Sequence, residues 1–207
     1  YAWYRVSFNL PSIIKNDAIS DTLLFLLGRI DDCDQTYLNG RLLGVNARLI
    51  SAGSSVSSPD LSKTETVWDI PRCYKIPVSD TRLLWDHENF LAVRVYDRKG
   101  GGGMKTSPVE VRMQGFADNL AFDVDTKMLV TNWDGTVSKT IILRNNTKLS
   151  ALEGRLNIEI SYYGEKHPVA TQTFDVNMKG KTGEFTLNFT GHHLGLMVAR
   201  CKFVEAK

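Results

Sequence analysis

Apolar and polar residues alternate along most of this chain, and such alternation is typical of β-strands with one buried face. In the first such run Tyr4, Val6, Phe8 and Leu10 fall on one face, and Pro11 ends the run. Long stretches with a 3.6-residue apolar period are missing from the sequence. That excludes architectures that place helices between parallel strands, so the pattern predicts an all-β protein.

The strand-like runs form two groups that meet near Gln114 and Gly115. After this point about seven short runs occur in roughly 90 residues, which is the spacing of an immunoglobulin-like sandwich. A chain of 207 residues fits two domains of roughly 100 residues each, with one large sandwich as the alternative. We predict two β-sandwich domains, in residues 1–115 and 116–207.

An acidic turn followed by a hairpin signal occupies residues 28–44. Asp31, Asp32 and Asp34 precede an Asn39-Gly40 pair that is flanked by apolar-containing runs. Asn-Gly favours the tight turns in which both central residues need positive φ, so it predicts a β-hairpin. The three carboxylates are therefore expected at the mouth of that hairpin.

Composition and charge exclude several classes of partner. Hydrophobic residues make up 43% and charged residues 23% of the chain, which is ordinary for a soluble globular protein. The net charge is +2 and the basic residues are scattered, so nucleic acid is not an expected partner. The longest apolar run, Leu23 to Leu27, is far too short to span a bilayer, so no membrane span is expected.

The cysteines and the glycine run carry no recognisable catalytic chemistry. Cys33, Cys73 and Cys201 form no CxxC pair, although one bridge between Cys33 and Cys73 is possible. The run Gly100 to Gly103 is not a phosphate-binding loop, because Met104 separates it from the following lysine. We expect this run to be either a flexible loop or a tightly apposed one.

No cofactor is expected from the sequence, and calcium is the one metal that the aspartates leave open. Asp32 and Asp34 resemble the start of a helix-loop-helix calcium loop, but Thr36 takes the third ligand position and the required glycine is missing. A simpler calcium site built from one or two aspartates and backbone carbonyls is possible, and a solvated or hydrogen-bonded turn is the alternative. The four histidines lack zinc-ligand spacing.

Several short motifs follow one another in a fixed order through the first half of the chain. They are Trp3-Tyr4-Arg5 with Phe8 and Pro11, Gly28-Arg29-Ile30-Asp31-Asp32, Tyr37-Leu38-Asn39-Gly40 with Gly44, Arg72 with Tyr74-Lys75-Ile76-Pro77, and Asn89 with Leu91-Ala92-Val93-Arg94-Val95-Tyr96-Asp97 before the glycine run. Together they resemble the galactose-binding-like jelly roll of sialate O-acetylesterases and the sugar-binding domain of glycoside hydrolase family 2. The resemblance covers about residues 1–115.

The resemblance implies an N-terminal jelly-roll domain that accompanies a catalytic domain, and it does not imply an active site. The Gly-Asp-Ser nucleophile motif of the esterases and the catalytic barrel of the glycosidases are both missing from this sequence. Paired carboxylates can in principle hydrolyse a glycoside, but Asp31, Asp32 and Asp34 come from one turn, and Asp69 and Asp97 are a further pair that could approach each other. Because no opposing acid is evident on a rigid scaffold, a small hydrolase is the least favoured hypothesis.

Sugar recognition needs polar groups for hydroxyls and aromatic faces for the apolar side of a pyranose ring. The residues predicted to bind a ligand are Asp31, Asp32, Asp34, Trp68, Arg72, Tyr74 and Asp97. Trp68 is the best stacking candidate, because it follows a polar, serine-rich loop at 51–62 that is a candidate border of the site. For Tyr74 the alternative is core packing, and for Arg72 it is an internal ion pair with one of the aspartates.

The leading functional hypothesis is a non-catalytic, carbohydrate-associated module of a carbohydrate-active protein. Its expected partners are a carbohydrate or a separate catalytic domain. The alternative is a purely structural module that docks or spaces partner domains. The chain begins at Tyr1, as mature exported proteins or trimmed sequences do, and we expect a secreted, periplasmic or cell-envelope location.

Overall fold

The computed structural model describes residues 1–49, 60–105, 109–124, 135–192 and 195–206. The chain divides into two compact units, Tyr1–Gln114 and Gly115–Lys207. Both are built from antiparallel strands, which confirms the all-β prediction. Most of the predicted loop at 51–62 lies outside the described residues. No helix in the described part of the chain is long and apolar enough to cross a membrane.

The described strands of the first unit are β1 (Ala2–Asn9), β2 (Thr22–Asp31), β3 (Cys33–Leu38), β4 (Arg41–Asn46), β5 (Arg48–Leu49), β6 (Thr64–Glu65), β7 (Pro71–Pro77), β8 (Glu88–Tyr96), β9 (Gly103–Met104) and β10 (Glu110–Met113). They form two main sheets with the strand orders β1-β8-β3-β4 and β10-β2-β7. The short strand β9 pairs with the end of β2, β5 pairs with β6, and 3-10 turns occupy Ser12–Asn16 and Leu61–Lys63.

One hydrophobic core lies between these two sheets. On β8, Leu91, Val93 and Val95 are buried in strict alternation, as the sequence pattern predicts. They belong to the same cluster as Phe25 and Leu27 on β2, which is in the other sheet. Because side chains from both sheets share this core, the unit is a β-sandwich.

Strand β1 forms where the sequence predicts it, but its apolar face is not fully covered. Tyr4 and Val6 are 39% and 49% exposed. Within the described residues β1 pairs only with β8, so it lies at the edge of its sheet. An apolar cavity of about 660 Å³ opens beside this edge, and Tyr4, Val6 and Phe8 line part of it.

The hairpin between β3 and β4 confirms the Asn-Gly signal. Asn39 and Gly40 have φ values of 50° and 76°, and the two strands pair from Asp34 opposite Asn46 to Leu38 opposite Arg41. Positive φ at both positions is the requirement that selects Asn-Gly in such turns. The acidic turn therefore lies at the far end of β3 from the hairpin tip.

All three cysteines are free, so the possible bridge between Cys33 and Cys73 does not form. Cys33 is buried on β3, and its Sγ donates to the backbone oxygen of Glu65. Cys73 lies in the other sheet, on the exposed face of β7. The alternation of β7 points Cys73 away from the core in which a bridge would have to lie.

In the second unit a single turn of helix, α1 (Phe116–Asn119), precedes β11 (Leu120–Val124), β12 (Thr136–Asn145), β13 (Ala151–Tyr162), β14 (Ala170–Lys179), β15 (Thr182–Thr190) and β16 (Met197–Glu205). The described strands form two sheets, with the strand orders β11-β12-β15 and β14-β13-β16. Ile141 and Leu143 on β12 share a buried cluster with Leu156 and Ile158 on β13. This unit is a second β-sandwich with its own core.

Candidate functional site

A buried ion pair joins the two sheets of the first unit. Arg72 on β7 is 1% exposed and Asp34 on β3 is fully buried. Arg72 Nε donates to Asp34 Oδ1 at 2.6 Å. Each of the two charges stabilises the other, because burying an unpaired charge costs roughly several kcal/mol of hydration free energy.

The remaining donors of Arg72 hold backbone from two other segments. Its two terminal nitrogens donate to the carbonyl oxygens of Val67 at 2.7 Å, Ile30 at 2.6 Å and Asp32 at 3.2 Å, and to that of Ile70. A guanidinium presents its donors in one rigid plane, so it fixes the relative position of the groups that it binds. Arg72 therefore ties the turn at residues 67–70 to the end of β2.

The second oxygen of the Asp34 carboxylate is also used internally. Asp34 Oδ2 accepts from Tyr74 Oη at 2.6 Å and from Thr36 Oγ1 at 2.9 Å, and Tyr74 Oη accepts from Asn46 Nδ2 at 2.7 Å. Burial, together with the negative charge of Asp34, raises the pKa of the Tyr74 hydroxyl well above its ordinary value. This network stabilises the interior.

Three of the residues predicted to bind a ligand thus lie inside the sandwich: Asp34, Arg72 and Tyr74. The structure has Arg72 in an internal ion pair with an aspartate and Tyr74 packed in the interior. Both positions match the alternatives to ligand binding that the sequence left open. These three side chains position the backbone around the site, and we assign them no contact with a ligand.

The two predicted residues that do meet at an open surface are Asp31 and Trp68. They line a cavity of about 450 Å³, whose other described lining residues are Arg29 and Lys105. Trp68 is 55% exposed and lies in the turn that Arg72 holds. The volume falls within the range of small-molecule sites, and the lining combines an aromatic ring with charged groups.

The pairing of β2 with β9 places three of the four lining residues. Asp31 lies opposite Gly103, and Lys105 N donates to the carbonyl oxygen of Arg29 at 2.9 Å. Arg29 and Asp31 are two apart on one strand and therefore share a face. Lys105 lies across from Arg29, on the segment that follows the glycine run.

Sequence reasoning missed Arg29 and Lys105 as parts of the site. Arg29 could have been found, because it precedes Asp31 by two residues, and residues two apart share a face wherever the backbone is extended. Lys105 gave no such signal, since its place depends on pairing between segments more than 70 residues apart in the chain.

The carboxyl groups of Asp31 and Asp32 interact, and their pKa values shift in opposite directions. Partial burial, a hydrogen bond to Asp32 and repulsion from it raise the pKa of Asp31, although Lys105 opposes this shift. Burial also acts to raise the pKa of Asp32, but hydrogen bonds from the Thr66 side chain and the Arg98 backbone outweigh it and lower that pKa. The Asp31–Asp32 peptide bond is cis.

Asp31 forms a loose ion pair with Lys105, whereas Asp32 is held by the backbone. Lys105 Nζ lies 3.4 Å from Asp31 Oδ2, and their side chains are 45% and 21% exposed. Asp32 Oδ2 accepts from Arg98 N at 2.8 Å. Asp31 is therefore the aspartate of the acidic turn that is available at the cavity.

Asp97 lies against the glycine run and is not among the described residues that line the Trp68 cavity. A Cβ on Gly102 would lie 2.3 Å from both Cβ and Cγ of Asp97, and a Cβ on Gly103 would lie 2.6 Å from Tyr4 Oη. Asp97 Oδ1 is buried and has no hydrogen-bond partner among the described residues. Gly102 and Gly103 are therefore tightly apposed to their neighbours, whereas a Cβ on Gly100 would meet no atom within 4 Å.

The described residues contain no group of three or more His, Cys, Asp or Glu side chains arranged to hold a metal ion. Asp34, one of the candidate calcium ligands, is fully engaged by Arg72, Thr36 and Tyr74. The calcium site therefore stays a prediction, without Asp34 as a ligand.

No protein-family model matches the sequence, and no curated protein matches it. Among solved structures, the β-D-mannosidase of Dictyoglomus thermophilum is 15% identical, with a TM-score of 0.48, over 98% of this chain and 27% of that one. A putative β-galactosidase of Bacteroides fragilis is 15% identical, with a TM-score of 0.44, over 99% of this chain and 30% of that one. A glycosyl hydrolase family 2 member of Bacteroides cellulosilyticus is 15% identical, with a TM-score of 0.41, over 98% and 26%.

This chain thus spans less than a third of the length of each of these enzymes. All three are glycoside hydrolases by name, and the resemblance to sialate O-acetylesterases stays a prediction.

Proposed function

We propose that this chain is a non-catalytic, sugar-binding accessory module of a larger carbohydrate-active protein of the glycoside hydrolase family 2 type. The observation that carries the proposal is the exposed ring of Trp68 at the wall of a cavity that Asp31, Arg29 and Lys105 also line. An indole face packs against the apolar side of a pyranose, and charged groups beside it can hydrogen-bond the hydroxyls.

The buried network supports this proposal because it pre-organises the site. Arg72 fixes both the turn that carries Trp68 and the end of the strand that carries Asp31. A rigid platform loses less conformational entropy when a ligand binds, so a small cavity can still give useful affinity. The exposed Trp68 therefore has the support that a stacking residue needs.

We assign no catalysis to this chain and expect a separate catalytic domain as its partner. Asp31 and Asp32 are neighbours on one turn, whereas glycoside hydrolysis needs two carboxyls on opposite sides of the scissile bond. A secreted, periplasmic or cell-envelope location is part of the same proposal.

A glycan array followed by isothermal titration calorimetry tests the sugar-binding role on the full chain. We expect at least one glycan to bind, and we expect its affinity to fall by about ten-fold or more in Trp68→Ala, as loss of an aromatic anchor does. Phe90→Ala is the matched control, because Phe90 is 56% exposed in the same unit but does not line this cavity. An array without any bound glycan, or equal losses in both variants, would refute the proposal.

The second candidate function is a structural module that docks or spaces other domains. The observation that favours it is the internal use of Asp34, Arg72 and Tyr74, which removes three polar groups from any ligand. This alternative predicts a cooperatively folded protein that binds no glycan and tolerates Trp68→Ala without any change in partner binding. The glycan array distinguishes the two functions, because both allow docking to a catalytic domain but only the first binds a glycan whose affinity falls in Trp68→Ala.

A further inference from the structure

The charges around the Trp68 cavity are unequal. Arg29 and Lys105 are cationic, whereas Asp31 is the one carboxylate among the described lining residues. Asp32, the adjacent acid, is not among the described lining residues, and its Oδ2 accepts from the backbone N–H of Arg98. The described lining therefore carries a formal charge of about +1 at neutral pH.

The backbone keeps the two cations together. Lys105 N donates to the Arg29 carbonyl oxygen at 2.9 Å, and the neighbouring pair on these strands is Ile30 opposite Met104. Cross-strand neighbours have their Cβ atoms about 5 Å apart. The two basic side chains therefore start from adjacent points on one face, beside the Trp68 turn.

The ion pair between Lys105 and Asp31 does not prevent the Lys105 ammonium group from binding another anion. Its 3.4 Å separation and the 45% exposure of the lysine side chain make it a surface pair. Such pairs contribute little to stability and are readily exchanged for another anion. An incoming carboxylate can therefore take a place beside Lys105 without breaking a buried interaction.

We infer that the Trp68 cavity selects sugars that carry a carboxylate, with the pyranose ring on the indole and the acid beside Lys105 and Arg29. The inference rests on the proposed sugar-binding function and adds the class of sugar. A hydrogen bond to a charged group is about twice as strong as a neutral one, so the acid is worth about ten-fold in affinity over a hydroxymethyl group.

Two matched pairs of sugars test the inference by calorimetry on the full chain: glucuronate against glucose, and galacturonate against galactose. Each pair differs only at C6, so stacking on Trp68 is the same for both members. We expect the uronate to bind about ten-fold more tightly in at least one pair. The advantage should shrink at high salt, because partly exposed charges are screened.

Variants of Lys105 assign the advantage to this cavity. Lys105→Gln should lower the affinity for the uronate by more than the affinity for the neutral sugar and so remove most of the preference, whereas Lys105→Arg should keep the preference. Lys75→Gln is the matched control, because Lys75 is exposed on β7 and does not line the cavity. A preference that survives Lys105→Gln, or that Lys75→Gln removes equally, would overturn the inference.

The outcomes separate this inference from the proposed function. Equal affinities within both pairs, or tighter binding of the neutral sugars, would overturn the carboxylate preference and leave sugar binding standing. If neither pair binds, array ligands confined to carboxylate sugars support the inference and neutral ligands overturn it. If no glycan on the array binds, both the carboxylate preference and the proposed sugar binding are overturned. Both are also overturned if acetate binds as tightly as the uronate and Trp68→Ala does not weaken uronate binding.

Discussion

Arg72 Nε and Asp34 Oδ1 are 2.6 Å apart, and neither side chain reaches solvent. The pair links one sheet of the first sandwich to the other, and its arginine also holds the turn that carries Trp68. A buried ion pair does not by itself make a protein more stable than a well-packed apolar pair would. Its value here is positional, since it fixes four backbone carbonyl groups around one guanidinium.

Arg72→Met should strongly destabilise the first unit. It leaves the Asp34 carboxylate buried without its counter-charge, and breaking such a pair in this way costs about 3–5 kcal/mol of unfolding free energy. Urea denaturation followed by tryptophan fluorescence measures the change, because Trp3, Trp68 and Trp85 all lie in this unit.

Glu110→Gln is the control for that experiment. Glu110 Oε1 lies 3.6 Å from Arg112 Nε, and the two side chains are 45% and 36% exposed. Loss of this ion pair should therefore cost no more than about 1 kcal/mol of unfolding free energy. Similar costs for Arg72→Met and Glu110→Gln would contradict a buried, positional role for Arg72.

Tyr74→Phe should change how the stability of the first unit depends on alkaline pH. Burial and the Asp34 charge raise the pKa of Tyr74 in the folded protein. Below about pH 10 the hydroxyl is neutral in both states, and above it the unfolded chain ionises first. The free energy of unfolding therefore falls as pH rises, by up to about 1.4 kcal/mol per pH unit.

Chemical denaturation at several alkaline pH values measures this slope. Tyr74→Phe should reduce the slope of the unfolding free energy against pH by about the contribution of one proton. Tyr1→Phe is the control, and it should leave the slope unchanged, because the Tyr1 ring is 60% exposed. If wild type and Tyr74→Phe have the same slope, the Tyr74 hydroxyl does not occupy the buried environment described above.

Asp80→Asn should destabilise the first unit at neutral pH and have a smaller effect in acid. Asp80 accepts from Arg82 Nε at 2.9 Å and from one terminal nitrogen at 2.7 Å. These hydrogen bonds lower the pKa of Asp80, so its contribution is complete above the ordinary aspartate pKa and is lost as pH falls through the lowered value. We expect a cost of about 2 kcal/mol at neutral pH.

Thermal unfolding of wild type and Asp80→Asn, recorded at neutral pH and at about pH 3, tests this sign. The difference in melting temperature between the two proteins should be smaller at the lower pH. A gap that widens in acid would show that Asp80 is not held in its charged form.

Gly102→Ala should destabilise the loop that packs on Asp97. The new Cβ would lie 2.3 Å from Cβ and Cγ of Asp97, and overpacking of this kind costs about 1–3 kcal/mol. Gly101→Ala is the matched control, because its Cβ would meet only Lys105 Nζ, at 3.6 Å. Comparison of the two urea midpoints decides the point, and equal midpoints would show that the run is not tightly apposed.

Local patterns predict much of this fold. Alternation at Leu91, Val93 and Val95 gives a buried face in the structure, and Asn39-Gly40 gives the hairpin. Both signals act through neighbours in the chain. The exposure of Tyr4 and Val6 could not be read in this way, because it depends on which strand ends the sheet.

The candidate site was only partly predictable for the same reason. The acidic turn and Trp68 were visible as an acidic cluster and an aromatic residue after a polar loop. Which aspartate turns inward depends on Arg72, which lies 38 residues from Asp34 along the chain. The approach of Lys105 depends on the pairing of β9 with β2, and sequence patterns do not report long-range pairing.

The position of Arg72 bears on how mutational scans of this protein are interpreted. A library selected for failure to capture a glycan should yield Arg72 and Asp34 variants beside Trp68 variants, although the first two side chains are sealed from solvent. If every hit were taken as a ligand contact, buried residues would be assigned wrongly to the binding site. Parallel sorting for intact protein at the cell surface would divide those hits into lost contacts and lost scaffold.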